Sequence, residues 1–341
     1  MTFTMTNNDE SIKSGKATAS DVAKAAGVSK WTVSRAFTEG SSISEKSRRK
    51  VRDAAEKLGY KPNLLARSLS KKQTNIIGIV IDEMKNPHCL MLLDEATKQL
   101  QNRGCIALLI NLSGVNDADV LSLADQLQVD GILFLGTVLS ENVISMAENL
   151  HHVPLVQVGR NSELVTFDRI YNNGYDAGKE IARLMIPQGF TRYGYMKGPD
   201  APSNHLFRMQ GFRDGLAEYD KKLSVMLVAG HYDRHSAANE YARYIETTPA
   251  TERIDALFCE NDILALGVMD QQMELGLPPL GIAGFDDIDE SGSVTRQLTT
   301  VSQRVDRLIH EALNRLLDST ASVEDTWSTG EIKVRQSHLK K

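Results

Sequence analysis

The sequence predicts an all-α helix-turn-helix head of three helices, a short hinge helix, and an α/β body built on two parallel sheets. Three observations carry this. Residues 18–37, TASDVAKAAGVSKWTVSRAF, hold two short helical stripes separated by a single glycine. From Asn75 onward, continuous apolar runs such as IIGIVI (76–81) and ALFC (256–259) alternate with amphipathic segments, the pattern of strands buried on both faces between helices. Charge divides at the same boundary. The 341 residues have a net charge of −5, yet residues 16–72 hold 14 Lys/Arg against 5 Asp/Glu (net +9), and residues 73–341 hold 24 against 37 (net −13). A basic head on an acidic body is the electrostatic footprint of a phosphate-backbone contact confined to one end.

In the head, Thr18 stands three residues before Asp21 and starts a capping box, with Val22, Ala23 and Ala26 on one helical face. Gly27 supplies the positive φ of a sharp corner. Ser29 caps a second helix with Val33, Ala36 and Phe37 inside and Lys30, Trp31, Ser34 and Arg35 outside. In a helix-turn-helix that second helix enters the major groove; an ordinary αα-corner is the alternative reading of the same stripes. Ser44 caps a third helix running to Leu58, with Val51, Ala54 and Ala55 inside and Arg48, Arg49, Lys50 and Arg52 outside. Pro62 biases the residues before it away from helix. In NLLARSLSKKQ (63–73), Asn63 caps a helix bearing Leu64, Leu65, Ala66 and Leu69 and ending on Lys71 and Lys72. That helix is shorter than the roughly 12–15 residues at which isolated helices become marginal. It reads either as a plain linker or as a hinge that folds on DNA, with Leu69 a wedge between minor-groove base steps.

In the body, strands are expected at 76–81, 105–110, 131–135, 154–158, 192–196, 223–229, 256–259 and 281–285. Helices are expected near 88–103, 117–128, 141–150, 174–186, 205–218, 235–246 and 263–275. Residues 298–319 read as one strongly amphipathic helix after a short lead, and 332–336 as a short last strand. No leucine heptads follow, so the sequence offers no coiled coil for assembly beyond a dimer.

Composition excludes several classes. Hydrophobic residues at 41% and charged residues at 24% fit a soluble globular chain. Cys89, Cys105 and Cys259 lack metal-ligand spacing and fit small buried hydrophobes in a reducing compartment. Residues 1–15 are polar, are expected to be disordered, and lack the apolar h-region of an export signal. No apolar run nears the ~20 residues that span a bilayer, so a cytoplasmic location without a membrane partner is expected. A nucleophile elbow, Walker loop, dinucleotide fingerprint and metal triad are all missing, and Asp117 and Asp119 lack the Gly and terminal Glu of a calcium loop. The chain is therefore not expected to be an enzyme or to need a metal or cofactor. A sugar-binding transport protein would share the body but would need an export signal and no basic head.

The segments DVAKAAGVSKWTVSRAF, LGYKPNLLARSL, VDGIL, Arg208-x-x-Gly211-Phe212, ALFCENDILALG, GFDD and LTTV together resemble the lactose-repressor/galactose-repressor family of bacterial transcription regulators, from Ala17 to Gln336. The resemblance implies a periplasmic-binding-protein-like body of two doubly wound subdomains joined by crossing strands. It also implies a homodimer on a pseudo-palindromic double-stranded operator, repression as the default, and a small effector, commonly a sugar or its derivative, in the cleft. The domains that follow are a tail (1–15), a DNA-binding domain (16–62), a hinge (63–74) and an effector-binding and dimerisation domain (75–341). Within the last, the N-subdomain takes 75–172 and 303–325 and the C-subdomain 173–302 and 326–341. By position, Lys30, Trp31 and Arg35 match residues that reach base edges: Arg bonds guanine through two donors, and Trp packs on a thymine methyl. Packing on a neighbouring helix is the alternative for Trp31. Ser29, Thr32, Ser34 and Asn63 match phosphate contacts, Leu69 matches the wedge, and Thr18 and Lys72 complete the DNA-binding set. Arg160, Arg208, Asn261 and Asp286 match effector-binding positions at strand ends, where open α/β sheets bind ligands. Plain ion pairs are the alternative for Arg160 and Asp286.

Five residues depart from the family pattern. Gly159 stands where an Asp usually precedes Arg160, which removes an acceptor for a sugar hydroxyl. His88-Cys89 follow Asn86-Pro87 where an aromatic pair is usual, Arg296 replaces a Pro, and Phe190 replaces a His. Two arginines and one lost carboxylate tilt the expected effector, a sugar, sugar acid or sugar phosphate, toward one carrying a carboxylate or phosphate.

Overall fold

The computed structural model describes residues 16–38, 40–62, 73–82, 84–112, 122, 124–136, 141–150, 152–160, 167–199, 206–318 and 326–340. The expected tail, the hinge segment with Asn63, Leu69 and Lys72, and half of the helix expected at 117–128 lie outside these residues. The chain divides into two compact units, Met1–Thr74 and Asn75–Lys341.

In the first unit, α1 (Ala19–Ala26), α2 (Lys30–Ala36) and α3 (Glu45–Lys57) form a three-helix bundle. Local chemistry sets each start. The Asp21 N–H donates to Thr18 Oγ1 at 3.3 Å while the Thr18 N–H donates to Asp21 Oδ2 at 2.9 Å, a reciprocal capping box. Gly27 takes φ 64° and turns the corner into α2. Ser29 Oγ accepts from the Thr32 N–H, and Ser44 Oγ from the Ser47 N–H, both at 3.2 Å. Val22, Val33 and Val51, one from each helix, are completely buried at the centre. Each such side chain contributes about 1.5–3 kcal/mol relative to exposure.

The second unit has two halves of the same design. The first contains β1 (Ile76–Ile81), α4 (Pro87–Asn102), β2 (Ile106–Asn111), β3 (Gly131–Leu135), α5 (Glu141–Asn149), β4 (Leu155–Val158) and β5 (Asp168–Ile170). Its sheet is parallel throughout, in the order β2-β1-β3-β4-β5. The second half contains α6 (Gly174–Met185), β6 (Tyr193–Lys197), α7 (Arg208–Ala217), β7 (Leu223–Val228), α8 (Arg234–Thr247), β8 (Ala256–Cys259), α9 (Asp262–Glu274) and β9 (Gly281–Ala283). Its sheet is also parallel, in the order β7-β6-β8-β9. In both, the strand order reverses beside the first strand of the half, which opens a crevice beyond the carboxyl ends.

The chain then returns through β10 (Thr300–Ser302), α10 (Val305–Asp318) and β11 (Glu331–Lys333). Helix α10 buries Leu308, Ile309, Ala312 and Leu313 in the core of the first half, beside Ile77 and Leu92. Val301 and Ile332 belong instead to the core of the second half, with Phe258 and Phe285. The backbone therefore passes between the halves near residues 171–173, 302–304 and 328–330, and the Asn173 N–H donates to Ser328 O at 2.8 Å where two passages meet.

Four expectations are corrected. Residues 300–302, expected as the lead into a helix, are a strand paired antiparallel with β11, and the helix begins only at Val305. Strand β5 was not expected; its three residues, with Ile170 alone buried, are too few and too polar to show a pattern. The strand expected over 281–285 stops at Ala283; beyond it the Gly284 and Asp286 N–H groups donate to Thr299 O and Val301 O at 2.9 and 2.8 Å, and Asp286 and Asp287 take φ of 121° and 57°. Strands β2 and β7, expected to be buried on both faces, are outer strands, with Ile106, Leu109, Met226 and Val228 exposed.

Candidate functional site

Two surfaces concentrate unusual chemistry. On the head, the outward face of α2 presents Lys30, Trp31, Ser34 and Arg35. Trp31 is 66% exposed, so its indole stands in solvent rather than against a neighbouring helix. The Arg35 guanidinium lies 4.2 Å from the Trp31 ring centroid, a cation–π pair one helical turn apart. The Ser29 and Thr32 hydroxyls lie 2.9 Å apart at the start of α2, and the Thr18 hydroxyl donates to Asp21 Oδ2 at 2.7 Å at the start of α1. Arg48, read from the sequence as surface decoration of α3, instead donates to Ala36 O at 3.1 Å and Ser41 O at 3.2 Å. It satisfies the last carbonyl of α2 and one in the loop that follows, and ties that helix to α3. Helical spacing shows no such role, because the partners lie twelve and seven residues away.

The second surface is a polar cleft between the halves of the body. From the first half come His88 near the start of α4 and Arg160 just past β4. From the second come Arg208, Tyr232, Asn261 and Asp286, and Gln303 joins them from the crossing segment. Arg160, Arg208, Asn261 and Asp286, the four residues expected at the site, are thus brought together at the carboxyl ends of the strands. Arg208 owes its place to glycine. A Cβ on Gly211 would lie 1.9 Å from Tyr175 O, and one on Gly178 would lie 2.2 Å from Arg208 O. Without those side chains, α7 packs backbone-close on α6 and sets Arg208 at its first turn. Asn261 caps α9, its Oδ1 accepting from the Leu264 N–H at 3.1 Å.

Electrostatics inside the cleft is closely coupled. Arg160 Nε donates to Gly136 O at 2.5 Å, and its guanidinium carbon sits 4.8 Å from the Tyr232 ring centroid. Tyr232 Oη–H donates to Glu260 Oε2 at 2.8 Å, the same oxygen that accepts the Gly198 N–H at 2.8 Å. Arg208 donates to Glu260 O, stacks 3.5 Å over the Phe285 ring, and stands 3.9 Å from Asp286 Oδ1. Gln303 Nε2 donates to Asp286 Oδ1 at 2.6 Å and lies 3.1 Å from His88 Nε2. Burial, and then Arg208 and Arg160, push the His88 pKa down to about 3, so the ring is neutral at physiological pH. Because the Gln303 amide is the donor, His88 Nε2 accepts and the ring proton sits on Nδ1. His88 Nδ1 and Gln303 Oε1 are both buried without a hydrogen-bond partner among the described residues.

Behind this wall, the Asp262 carboxylate accepts from Ser291 Oγ at 2.7 Å, Thr300 Oγ1 at 2.5 Å and the Ile288 N–H at 3.1 Å. It joins α9, β10 and the loop that carries Asp286. Burial, and then the neighbouring Asp286, raise its pKa to about 7. Sequence reasoning missed Tyr232, Glu260, Gln303 and this role of Asp262, and noted His88 only as a departure; their partners are 17 to 215 residues away. Among the described residues, no group of three His, Cys, Asp or Glu side chains is placed to hold a metal ion, and no helix is long and apolar enough to cross a membrane.

Residues 18–63 match the family model of bacterial regulatory proteins of the lacI family, and residues 182–338 match that of a periplasmic binding protein-like domain. The chain belongs to the lactose-repressor/galactose-repressor family. Among its relatives is the HTH-type transcriptional repressor PurR of Proteus mirabilis, 29% identical over 328 residues that cover 94% of this chain and 95% of that protein. PurR of Edwardsiella ictaluri is 28% identical over 323 residues, covering 93% and 94%. The fold is shared with the lac repressor dimer solved on its operator with the anti-inducer ONPF, at a TM-score of 0.82 and 23% identity over 96% of this chain and all of that one. A complex of the regulator CelR with cellobiose aligns at a TM-score of 0.65 and 21% identity, over 94% of this chain and 99% of that one. This family member is a DNA-binding transcriptional regulator with a periplasmic-binding-protein-like body.

Proposed function

We propose that this chain is a cytoplasmic, homodimeric repressor of a pseudo-palindromic operator, whose affinity for DNA is set by a small effector, a sugar, sugar acid or sugar phosphate, bound in the body cleft. One observation carries the reading: a buried polar cleft, walled by side chains from both halves and from a crossing segment, lies in the same chain as a basic helix-turn-helix. A ligand that touches both halves has different affinities for their different arrangements, which is what an allosteric effector requires. The relatives named as transcriptional repressors and the lac repressor dimer on its operator support repression and pairing. The exposed apolar side chains of the outer strands β2 and β7, which a second copy would cover, support pairing alone.

In this reading Lys30, Trp31 and Arg35 read bases, whereas Thr18, Ser29, Thr32, Ser34, Asn63 and Lys72 hold phosphates. Leu69 is the minor-groove wedge, and Arg160, Arg208, Asn261 and Asp286 hold the effector. The domain boundaries are those expected from the sequence, with the hinge at 63–74. The test is selection of binding sites from random duplexes by the full-length protein, followed by titration of the selected site. Enrichment of a two-fold-related site, bound by two chains, is expected. Binding with equal affinity to random DNA would remove the operator from the proposal.

A further inference from the structure

We infer that the effector presents an anionic oxygen group, a carboxylate or a phosphate, to His88 Nδ1–H and the Arg208 guanidinium, and donates a hydroxyl or N–H to Gln303 Oε1. The inference rests on the cleft being the effector site and names the chemistry that site selects. Two buried atoms of opposite polarity lie unpartnered on adjoining side chains of the same wall, His88 Nδ1 and Gln303 Oε1. A buried polar atom without a partner costs free energy that a ligand recovers by bonding it. The Gln303 amide fixes which is which, because it donates to both Asp286 Oδ1 and His88 Nε2 and leaves a donor at Nδ1 and an acceptor at its own oxygen.

Charge gives the sign of the ligand. Arg208 is 5% exposed, yet its hydrogen bond to Glu260 O satisfies only a neutral partner. Its separation of 3.9 Å from Asp286 Oδ1 is beyond direct hydrogen-bonding distance. That Asp286 oxygen already accepts the Gln303 amide at 2.6 Å, so the nearby carboxylate is engaged within the wall. A guanidinium fork is suited to an incoming carboxylate or phosphate. The position before Arg160, where a carboxylate would repel an anion and accept a sugar hydroxyl, is Gly159.

The experiment is a thermal-shift titration of the full-length protein with matched trios: glycerol, glycerate and glycerol 3-phosphate; D-ribose, D-ribonate and D-ribose 5-phosphate; D-glucose, D-gluconate and D-glucose 6-phosphate. Inorganic phosphate is run beside them. An anionic member is expected to raise Tm where its neutral partner does not, and the acid and phosphate arms separate the two sources of charge. The shift should vanish in Arg208→Ala. It should weaken at least tenfold in apparent affinity in His88→Gln, which keeps an acceptor toward Gln303 and lacks the Nδ1 donor. His88→Asn, which restores a donor near that position, should recover binding. Arg208→Lys serves if Arg208→Ala fails to fold, and it should weaken the anion while keeping the anion-over-neutral order. A neutral member that binds in place of its anions, and is lost in Arg208→Ala, overturns the inference and keeps the cleft as the site. A shift that survives in Arg208→Ala overturns both. No shift with any anion overturns the inference alone.

Discussion

Replacing His88 by Gln removes a titratable ring from the cleft while keeping an acceptor for the Gln303 amide. In the folded protein, burial and then the two arginines hold the His88 pKa at about 3, against an ordinary 6.5. The unfolded chain restores the ordinary value. Between those limits the unfolded state binds a proton that the folded state refuses, so the contribution of His88 to stability is complete above pH 6.5 and is lost as pH falls toward 3. At about pH 5 the accumulated loss is roughly 2 kcal/mol, and it approaches roughly 4–5 kcal/mol near the folded-state pKa. The assay is urea unfolding of full-length wild type and H88Q, followed by circular dichroism at one protein concentration and one salt, at about pH 7.5 and about pH 5. Comparing the two proteins at each pH cancels the other titrating groups. Asp262 is the chief of these and has the opposite sign: its raised pKa gives stability that is complete below 3.8 and lost as pH rises through about 7. Wild type is expected to lose about 2 kcal/mol more than H88Q over that interval. Equal losses would mean that the ring is charged in the folded protein at the lower pH, and the Nδ1–H tautomer drawn from the Gln303 contact would have to be abandoned.

The stacked pair on α2 predicts that Trp31→Ala and Arg35→Ala each weaken selected-site DNA binding while moving Tm little. A double-mutant cycle on the free protein should return a coupling of about 0.5–1 kcal/mol, and zero coupling would dissolve the pair. Arg48→Met should destabilise the head by about 1–3 kcal/mol and lower its own unfolding midpoint without moving that of the body, because the carbonyls it serves are left unpaired. A response confined to DNA binding would make Arg48 a phosphate contact instead. Gly211→Ala should cost the body at least about 1–3 kcal/mol, since the added methyl meets the Tyr175 carbonyl and α7 must lift from α6. Binding of any cleft ligand should fall with it, and an unchanged Tm would show that the helices have slack.

Elements set by local rules were visible in the sequence. Thr18, Gly27, Ser29 and Ser44 act within three or four residues of themselves, so caps and corner follow from spacing alone. Strands such as Gly131–Leu135 and Ala256–Cys259 are fully buried and announce themselves as apolar runs. What escaped was set by distant partners. β5 is a strand because β4 lies beside it, and β10 because β11 and the second sheet flank it, although LTTV has no apolar run or alternation long enough to show it. The site divides the same way. Arg208, Asn261 and Asp286 sit in motifs, but Tyr232, Glu260 and Gln303 are isolated polar residues whose importance appears only when the halves meet. The outer strands were misjudged because apolar content cannot distinguish a face buried inside the chain from one left open at its edge.

In the proposed reading of the cleft as an effector site, Gln303 gives its occupancy leverage out of proportion to its size. It stands where the chain crosses from the second half to the first, bonded to Asp286 of one and beside His88 of the other. A ligand that takes up its free oxygen and the His88 donor acts on the crossing itself rather than on either wall alone. The energies are of the right order. A hydrogen bond to a charged group contributes about 1.5–3 kcal/mol net, and allosteric couplings are typically about 1–3 kcal/mol, or roughly 5–150-fold in affinity. One or two bonds gained in one arrangement of the halves and absent in the other therefore suffice to control a distant equilibrium, without refolding either sheet. The positive-φ turn at Asp286 and Asp287 is tied to the same crossing. Asp287 is fixed by Arg335 at 2.6 Å and Asp286 by Gln303, so the positive φ angles are kept by contacts to the two return segments of the chain, and any displacement of those segments is felt directly at the carboxylate in the cleft.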